Sequence, residues 1–249
     1  MEASFKDHFS KQSDLYAKYR PDYPKAMYEF IFSHVRERKL AWDCGTGNGQ
    51  VAAALAEYFE HVIATDPSAK QIEQATHHES IDYRIEPAER TSLPDNSVDF
   101  VAVAQALHWF DFDKFYTEVR RVANSKAVIA VWTYNLLKVN PEIDRIINHF
   151  YTNIAGPYWP KERRWVDEQY ETIPFPFDEF KAPEFFIDKK YNLEDFFGYL
   201  RTWSSVHQFI KKNGHDPIDE IKNDLTAIWG ARENELPVQW PVYIRIGRL

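Results

Sequence analysis

The chain reads as an α/β fold, a mostly parallel sheet with helices on both faces. Two observations lead there. Short apolar runs begin near Leu40, His61, Ile81, Val98 and Lys126, at intervals of 21, 20, 17 and 28 residues, which is room for a strand, a helix and two short loops. Two of these runs, Val98–Ala104 and Ala127–Trp132, are apolar almost throughout rather than alternating, as in a strand covered by helices on both sides. A chain of 249 residues can bury such a core without staples.

In order, residues 1–36 are expected to form helices that lie over the site as a lid. The run Leu40–Cys44 is the first strand and opens into a glycine-rich bend. Val51–Phe59 is an Ala-rich helix. Val62–Asp66 ends the second strand, and Ser68 is placed to cap a helix over Ala69–Thr76. Ile81–Ile85 and Val98–Ala104 are the next strands. Phe112–Val122 sets Phe115, Val119 and Val122 on one helix face. From Asn135 the repeat stops. Tyr151–Phe186 is rich in proline and large aromatics, among them Tyr158, Trp159, Trp165, Phe175, Phe177 and Phe180, too apolar for a linker. It is read as an insertion that covers a pocket. Pro241–Leu249 alternates as a last strand. The expected organisation is one domain: a lid to residue 36, a ligand-binding core over 37–134, a cover over 135–205 and completion of the sheet over 206–249.

Composition removes several function classes. The single cysteine, Cys44, rules out a disulfide framework within the chain and any multi-cysteine metal site. The nine histidines show no metal-binding spacing, so no metal is expected. Mean hydropathy is −0.54 and the longest apolar runs have six residues, far from the ~20 of a membrane span. With a charged, uncored N-terminus, this suggests a reducing, cytoplasmic setting. The net charge of −8 disfavours nucleic acid as a partner. The basic clusters Arg36–Lys39, Lys161–Arg164 and Lys211–Lys212 read as solvated helix faces. Oligomeric state is not legible.

The chemistry concentrates at the glycines. Of eight in the chain, Gly45, Gly47 and Gly49 fall within five residues, after a strand and before a helix. There the backbone turns sharply and admits a ligand. A dinucleotide loop reads G-x-G-x-x-G. This one reads D-x-G-x-G-x-G from Asp43, with the third glycine one position early. No Lys-Ser/Thr follows, so it is not a P-loop. An acid in the loop suits a positively charged ligand, and S-adenosylmethionine carries both an ammonium and a sulfonium. Asp66 ends the second strand 23 residues after Asp43, where a carboxylate holds a ribose diol. Pro67, the Ala88-Glu89 loop and Gln105–Phe110 also fall at carboxyl ends of strands, where ligands bind in open parallel sheets.

These residues resemble the class I S-adenosylmethionine-dependent methyltransferases, and among them the small-molecule branch with the trans-aconitate methyltransferases. The resemblance covers nearly the whole chain. Tyr16-Ala-Lys-Tyr19-Arg20-Pro-Asp-Tyr23-Pro24 is similar to that group's lid segment, and Gln105–Phe110 to its Q-A-x-H-W-F stretch. Glu118–Val122, Tyr199–Ser204 and Trp240–Arg248 resemble its later segments. The resemblance implies a Rossmann-like seven-stranded sheet with its last strand antiparallel. It also implies that Asp43, Gly45 and Gly47, with Thr46, hold the methionine end of the cofactor. Asp66 would take the ribose hydroxyls, Pro67, Ala88 and Glu89 would border the adenine, and Gln105 would offer its backbone to the methionyl amine. One departure is Ala123-Asn124-Ser125-Lys126, where many members have Pro-Gly-Gly. Asn tolerates a left-handed backbone, so a turn there is still expected.

The expected reaction is in-line methyl transfer to a small molecule, expected to be an organic acid. Alignment at about 3–3.5 Å supplies much of the rate, and a carboxylate acceptor needs no base. Arg20 and Arg201 are candidates to grip the acid bidentately. Tyr16, Tyr19, Trp109 and Trp203 are candidates to line the lid or pocket. His108, at a strand end, is the candidate base should the acceptor require one. Cys44 reads as packing. The alternatives are a catalytically silent module that binds S-adenosylmethionine or its product S-adenosylhomocysteine, and a nicotinamide-dependent dehydrogenase.

Overall fold

The computed structural model describes Tyr19 and residues 21–249; the expected lid residues Tyr16 and Arg20 lie outside the described residues. Five strands run parallel: β1 (Leu40–Cys44), β2 (His61–Asp66), β3 (Ile81–Ile85), β4 (Val98–Ala104) and β5 (Ala123–Tyr134). Strands β6 (Asp178–Phe180) and β7 (Phe185–Tyr191) both pair antiparallel with β8 (Leu236–Arg248), which is itself antiparallel to β5. The order is β3-β2-β1-β4-β5-β8-β6, with β7 also on β8. Chain direction across the sheet reverses between β1 and β4, and this opens a crevice at their carboxyl ends.

The helices are α1 (Lys25–Ser33), α2 (Gln50–Ala56), α3 (Ala69–Ile72), α4 (Phe112–Val122), α5 (Pro141–His149), α6 (Arg163–Asp167), α7 (Leu193–Arg201), α8 (Ser204–Asn213) and α9 (Lys222–Trp229). Side chains alternate across the sheet because the strand period is two. Ala41, Ala64, Phe100, Ala102, Val128 and Trp132 join one apolar layer with α1 and α2. Trp42, Ile63, Val101, Val103, Ile129 and Val131 join the other with Phe115, Val119 and Val122 of α4. Asp111 caps α4 by accepting from the Lys114 N–H.

The structure differs from expectation in four places. The sheet has eight strands, not seven: β6 and β7 lie within the stretch expected as cover. Strand β8 starts at Leu236, before Pro241, because Pro237 and Pro241 pair with β7 on one side, and that end of β8 has only an isolated bridge, Lys138 to Gln239, on its other flank. No turn separates α4 from β5; the helix runs straight into the strand at Ala123. Asn124 is not left-handed and donates to Asp99 Oδ1 at 2.6 Å. Helix α3 is four residues long, and Ser68 at its N-cap makes no side-chain cap bond.

Candidate functional site

The glycine bend is built from β2. The N–H groups of Gly45 and Thr46 both donate to the Thr65 carbonyl, at 2.9 and 3.0 Å. Gly45 has φ +72, and a Cβ there would stand 2.5 Å from Ala106 Cβ, so the loop after β4 rests directly on the bend. Gly47 also has positive φ, yet a Cβ there would meet nothing nearer than Gln71 Oε1 at 3.9 Å. Its face is open, as close approach of a ligand to backbone requires.

Asp43 is wholly buried. Its Oδ2 accepts from Thr46 Oγ1 at 2.6 Å, while Oδ1 has no hydrogen-bond partner among the described residues. Burial, helped slightly by the charge of Asp66, pushes its carboxyl up to about 7. Asp66 closes the opposite wall. Its Oδ2 accepts from the Gly47 N–H at 3.0 Å and its Oδ1 from the Ser68 N–H at 2.8 Å. Pro67 is half-buried beside it and Ala88 is buried. Half-buried Glu89 accepts from the Asp111 N–H at 2.9 Å, which ties the loop after β3 to the start of α4. Cys44 is buried and its thiol pushed up by burial, an inert environment.

Gln105 turns the chain at the end of β4 with φ +54, a left-handed conformation costing about 1–3 kcal/mol for a non-glycine residue. Strand β5 enforces it. The Gln105 N–H donates to the Trp132 carbonyl at 2.9 Å. Its Nε2 donates to the Tyr134 carbonyl at 3.1 Å, and its Oε1 accepts from Thr133 Oγ1 at 2.6 Å.

The N-terminal segment lies over this crevice. Gln50, first in α2, donates to the Pro21 carbonyl and to Asp22 Oδ1. Tyr23 meets Trp132 edge-on at 5.6 Å. The Tyr19 ring sits against Gly198 of α7, and its carbonyl accepts from the Tyr191 hydroxyl.

Beside Gln105 opens a cavity of about 650 Å³ of empty space, its mouth included. His108 and Trp109 line it from the sheet side; Trp159, Arg163, Tyr199 and Trp203 line it from the cover. Among the described residues no Asp or Glu lines it. Arg163 is its cation. The guanidinium carbon stands 4.6 Å from the Trp159 ring centre. Arg163 Nε donates to the Tyr151 hydroxyl at 2.8 Å and stands 3.4 Å from Asp167 Oδ1, while Nη2 donates to Asn135 Oδ1 at 3.0 Å. Sequence reasoning missed Arg163 by treating Lys161–Arg164 as a solvated face. The available clue was the aromatic residues that flank it, Trp159 and Trp165.

The structure brings His108, Trp109, Trp203 and Gln105 to the cavity and leaves two other candidates outside its lining. Tyr19 packs on α7. Arg201 donates to Asp216 Oδ2 at 2.7 Å, an ion pair that occupies the group meant to grip an acid. His108 is buried, with Nδ1 2.8 Å from the Tyr170 hydroxyl. Burial, then the charge of Arg163, pushes its pKa down to about 3. The ring is therefore neutral at neutral pH and a weak base.

Comparison with known proteins gives this geometry a family. Residues 42–131 match the methyltransferase domain model. A Dictyostelium discoideum protein named "Putative methyltransferase" is 34% identical over 98% of this chain and 95% of its own. The chain belongs to the methyltransferase family. The yeast (Saccharomyces cerevisiae) protein named "Probable S-adenosylmethionine-dependent methyltransferase CRG1" is 31% identical over 95% of each chain. A solved "Putative Type II Methyltransferase" from Anaeromyxobacter dehalogenans superposes on this methyltransferase with TM-score 0.86 at 45% identity, over 92% of this chain and 97% of that one. No helix among the described residues of this methyltransferase is long and apolar enough to cross a membrane.

Proposed function

We propose that this methyltransferase moves the methyl group of S-adenosylmethionine onto a small organic acid held in the aromatic cavity. One observation carries the substrate class: the cavity has the Arg163 guanidinium on its wall and no carboxylate among the described residues that line it, since Asp167, 3.4 Å from Arg163 Nε, lies outside the lining. An anion gains there and an ammonium does not. The resemblance to the trans-aconitate methyltransferases supports the same class. The flat rings of half-buried Trp159 and buried Trp203 suit a planar or apolar body beside the charge.

The crevice fits the cofactor. Asp43 keeps a buried oxygen without a donor, which a ligand ammonium would satisfy, and the open face of Gly47 leaves room at the bend. In this reading Asp43, Gly45, Thr46 and Gly47 hold the methionine end, with the Gln105 backbone. Asp66 takes the ribose hydroxyls, and Pro67, Ala88 and Glu89 border the adenine. Bound there, the cofactor supplies an electrophilic methyl group whose leaving group is a neutral thioether. The protein's share is to align the acceptor, to exclude water beneath residues 21–36 and 135–205, and to orient a carboxylate that needs no base. A neutral His108 is compatible with that division of labour. The single cysteine and the absence of a spanning helix among the described residues support a cytoplasmic setting.

The test is methyl transfer from isotopically labelled S-adenosylmethionine to paired panels of flat carboxylic acids and the matching amines. Acids should be methylated, and Arg163→Gln should raise their KM at least ~10-fold, the loss of one charge-assisted contact. Transfer confined to amines overturns the proposal.

A further inference from the structure

We infer that Tyr170 is a positioning residue that fixes His108 as its Nε2–H tautomer, so that the cavity wall meets the acceptor with a hydrogen-bond donor and not with a base. That the acceptor occupies this cavity rests on the proposal above; the tautomer does not.

The argument follows protons. Gln105 Nε2 donates to the Tyr134 carbonyl, which orients the amide and makes Oε1 the acceptor for Thr133 Oγ1. The one hydroxyl proton of Thr133 is thereby used. Tyr170 is wholly buried, and burial raises its pKa, so it keeps its proton. The ring nitrogen His108 Nδ1 stands 2.8 Å from that hydroxyl; the Thr133 hydroxyl is its other side-chain neighbour, and we assign the Tyr170 proton to Nδ1, the more basic of the two acceptors. A neutral imidazole that accepts at Nδ1 carries its proton on Nε2. Nε2 has no partner among the described residues, and His108 lines the cavity.

The backbone around Tyr170 is arranged to hold this contact. Gln169 and Tyr170 are consecutive non-glycine residues with positive φ, +58 and +63. Such strain persists only where the surroundings enforce it. Here the enforcing group is Arg245 of β8, which donates to the Tyr170 carbonyl at 3.3 Å and to the Ile173 carbonyl at 2.6 Å. Glu179 of β6 fixes Arg245 in turn through two bonds of 2.8 Å. The strained turn after α6 aims the phenol at the imidazole. With the Arg163 guanidinium, the Nε2–H then makes a pair of donors suited to the two oxygens of one carboxylate.

The experiment is nitrogen NMR of the ligand-free, full-length protein labelled with 15N-histidine, with His108→Gln used to assign the resonance. At neutral pH His108 should show a single neutral tautomer, with Nε2 protonated and Nδ1 bare. Tyr170→Phe should add the Nδ1–H form. An Nδ1–H tautomer or an imidazolium in the parent protein overturns the inference, as does an unchanged spectrum in Tyr170→Phe. Should that variant fail to fold, biosynthetic 3-fluorotyrosine retains every hydroxyl and makes it a stronger donor. His108 Nδ1 must then shift, and a resonance that stays put overturns the inference. No substrate is present, so a wrong acceptor class leaves this result intact.

Discussion

A buried carboxylate oxygen without a donor costs about 1–3 kcal/mol, and among the described residues Asp43 Oδ1 is such an atom. The folded state raises this carboxyl from 3.8 to about 7. Between those values the folded chain binds a proton that the unfolded chain has released, so the stability contributed by this group falls as pH rises through the interval. Asp43→Asn should flatten that fall in the ligand-free protein, measured by urea denaturation from acid to neutral pH. The same variant should weaken S-adenosylmethionine at least ~10-fold by calorimetry, the scale of one lost charge-assisted bond. His108 has the opposite sign. Its pKa drops from 6.5 to about 3 on folding, so the stability it contributes is present above 6.5 and is lost as pH falls. His108→Gln should remove part of the acid sensitivity, read in the same titration. At this scale the glycine bend and its acid were legible, because a required backbone conformation leaves its mark in residue type. Arg163 was not legible. A ring stacked against it and a buried pocket decide its role, and neither is local in sequence.

Among the elements, α4 shows how a helix is fixed to the loop that precedes its strand. Glu118 is buried and accepts from the Thr91 N–H at 2.6 Å, from Thr91 Oγ1 at 2.7 Å and from Arg121 Nη2 at 2.6 Å. Arg121 continues to Asp95 Oδ1 at 2.6 Å and to the Leu93 carbonyl at 2.8 Å. Glu118→Ala should cost about 3 kcal/mol, since it strands a charge and two donors, and Glu118→Gln clearly less; chemical denaturation measures both. The helix itself was readable from the spacing of Phe115, Val119 and Val122. Strand β6 was not, for three residues carry no period. In β7 the inward positions Phe185, Ile187 and Tyr191 alternate with exposed ones, but Lys189 takes an inward position. Its side chain is half-buried and its ammonium lies over the Tyr191 ring at 5.2 Å, so the charge is accommodated, while the sequence shows only a lysine that interrupts the pattern.

For the molecule as a whole, the crevice lies beside a sheet, with one segment before β1 and another after β5 packed near it. The two segments meet at α7, where Gly198 receives the Tyr19 ring; a Cβ on Gly198 would stand 2.5 Å from it. Gly198→Ala should loosen the N-terminal segment, and limited proteolysis near residues 19–23 should accelerate while the sheet stays folded by circular dichroism. Saturating cofactor should stabilise the protein by about 2.7 kcal/mol at a hundredfold excess over Kd, visible as a rise in melting temperature; no rise would remove the cofactor assignment. The parallel half of the sheet was legible because each βα unit repeats the same pattern. The antiparallel half was legible only at its final strand, since its partners are brought together by long-range pairing.

Strand β8 supplies the second neighbour of β5, the strand with which both β6 and β7 pair, and through Arg245 the brace on Tyr170. During synthesis β5 emerges roughly a hundred residues before the strand that will cover it. Until then its nearly all-apolar flank is a bare row of amides and carbonyls, open to any other extended segment nearby. The nascent protein is thus most exposed to mispairing at the place where, once complete, the candidate site is braced.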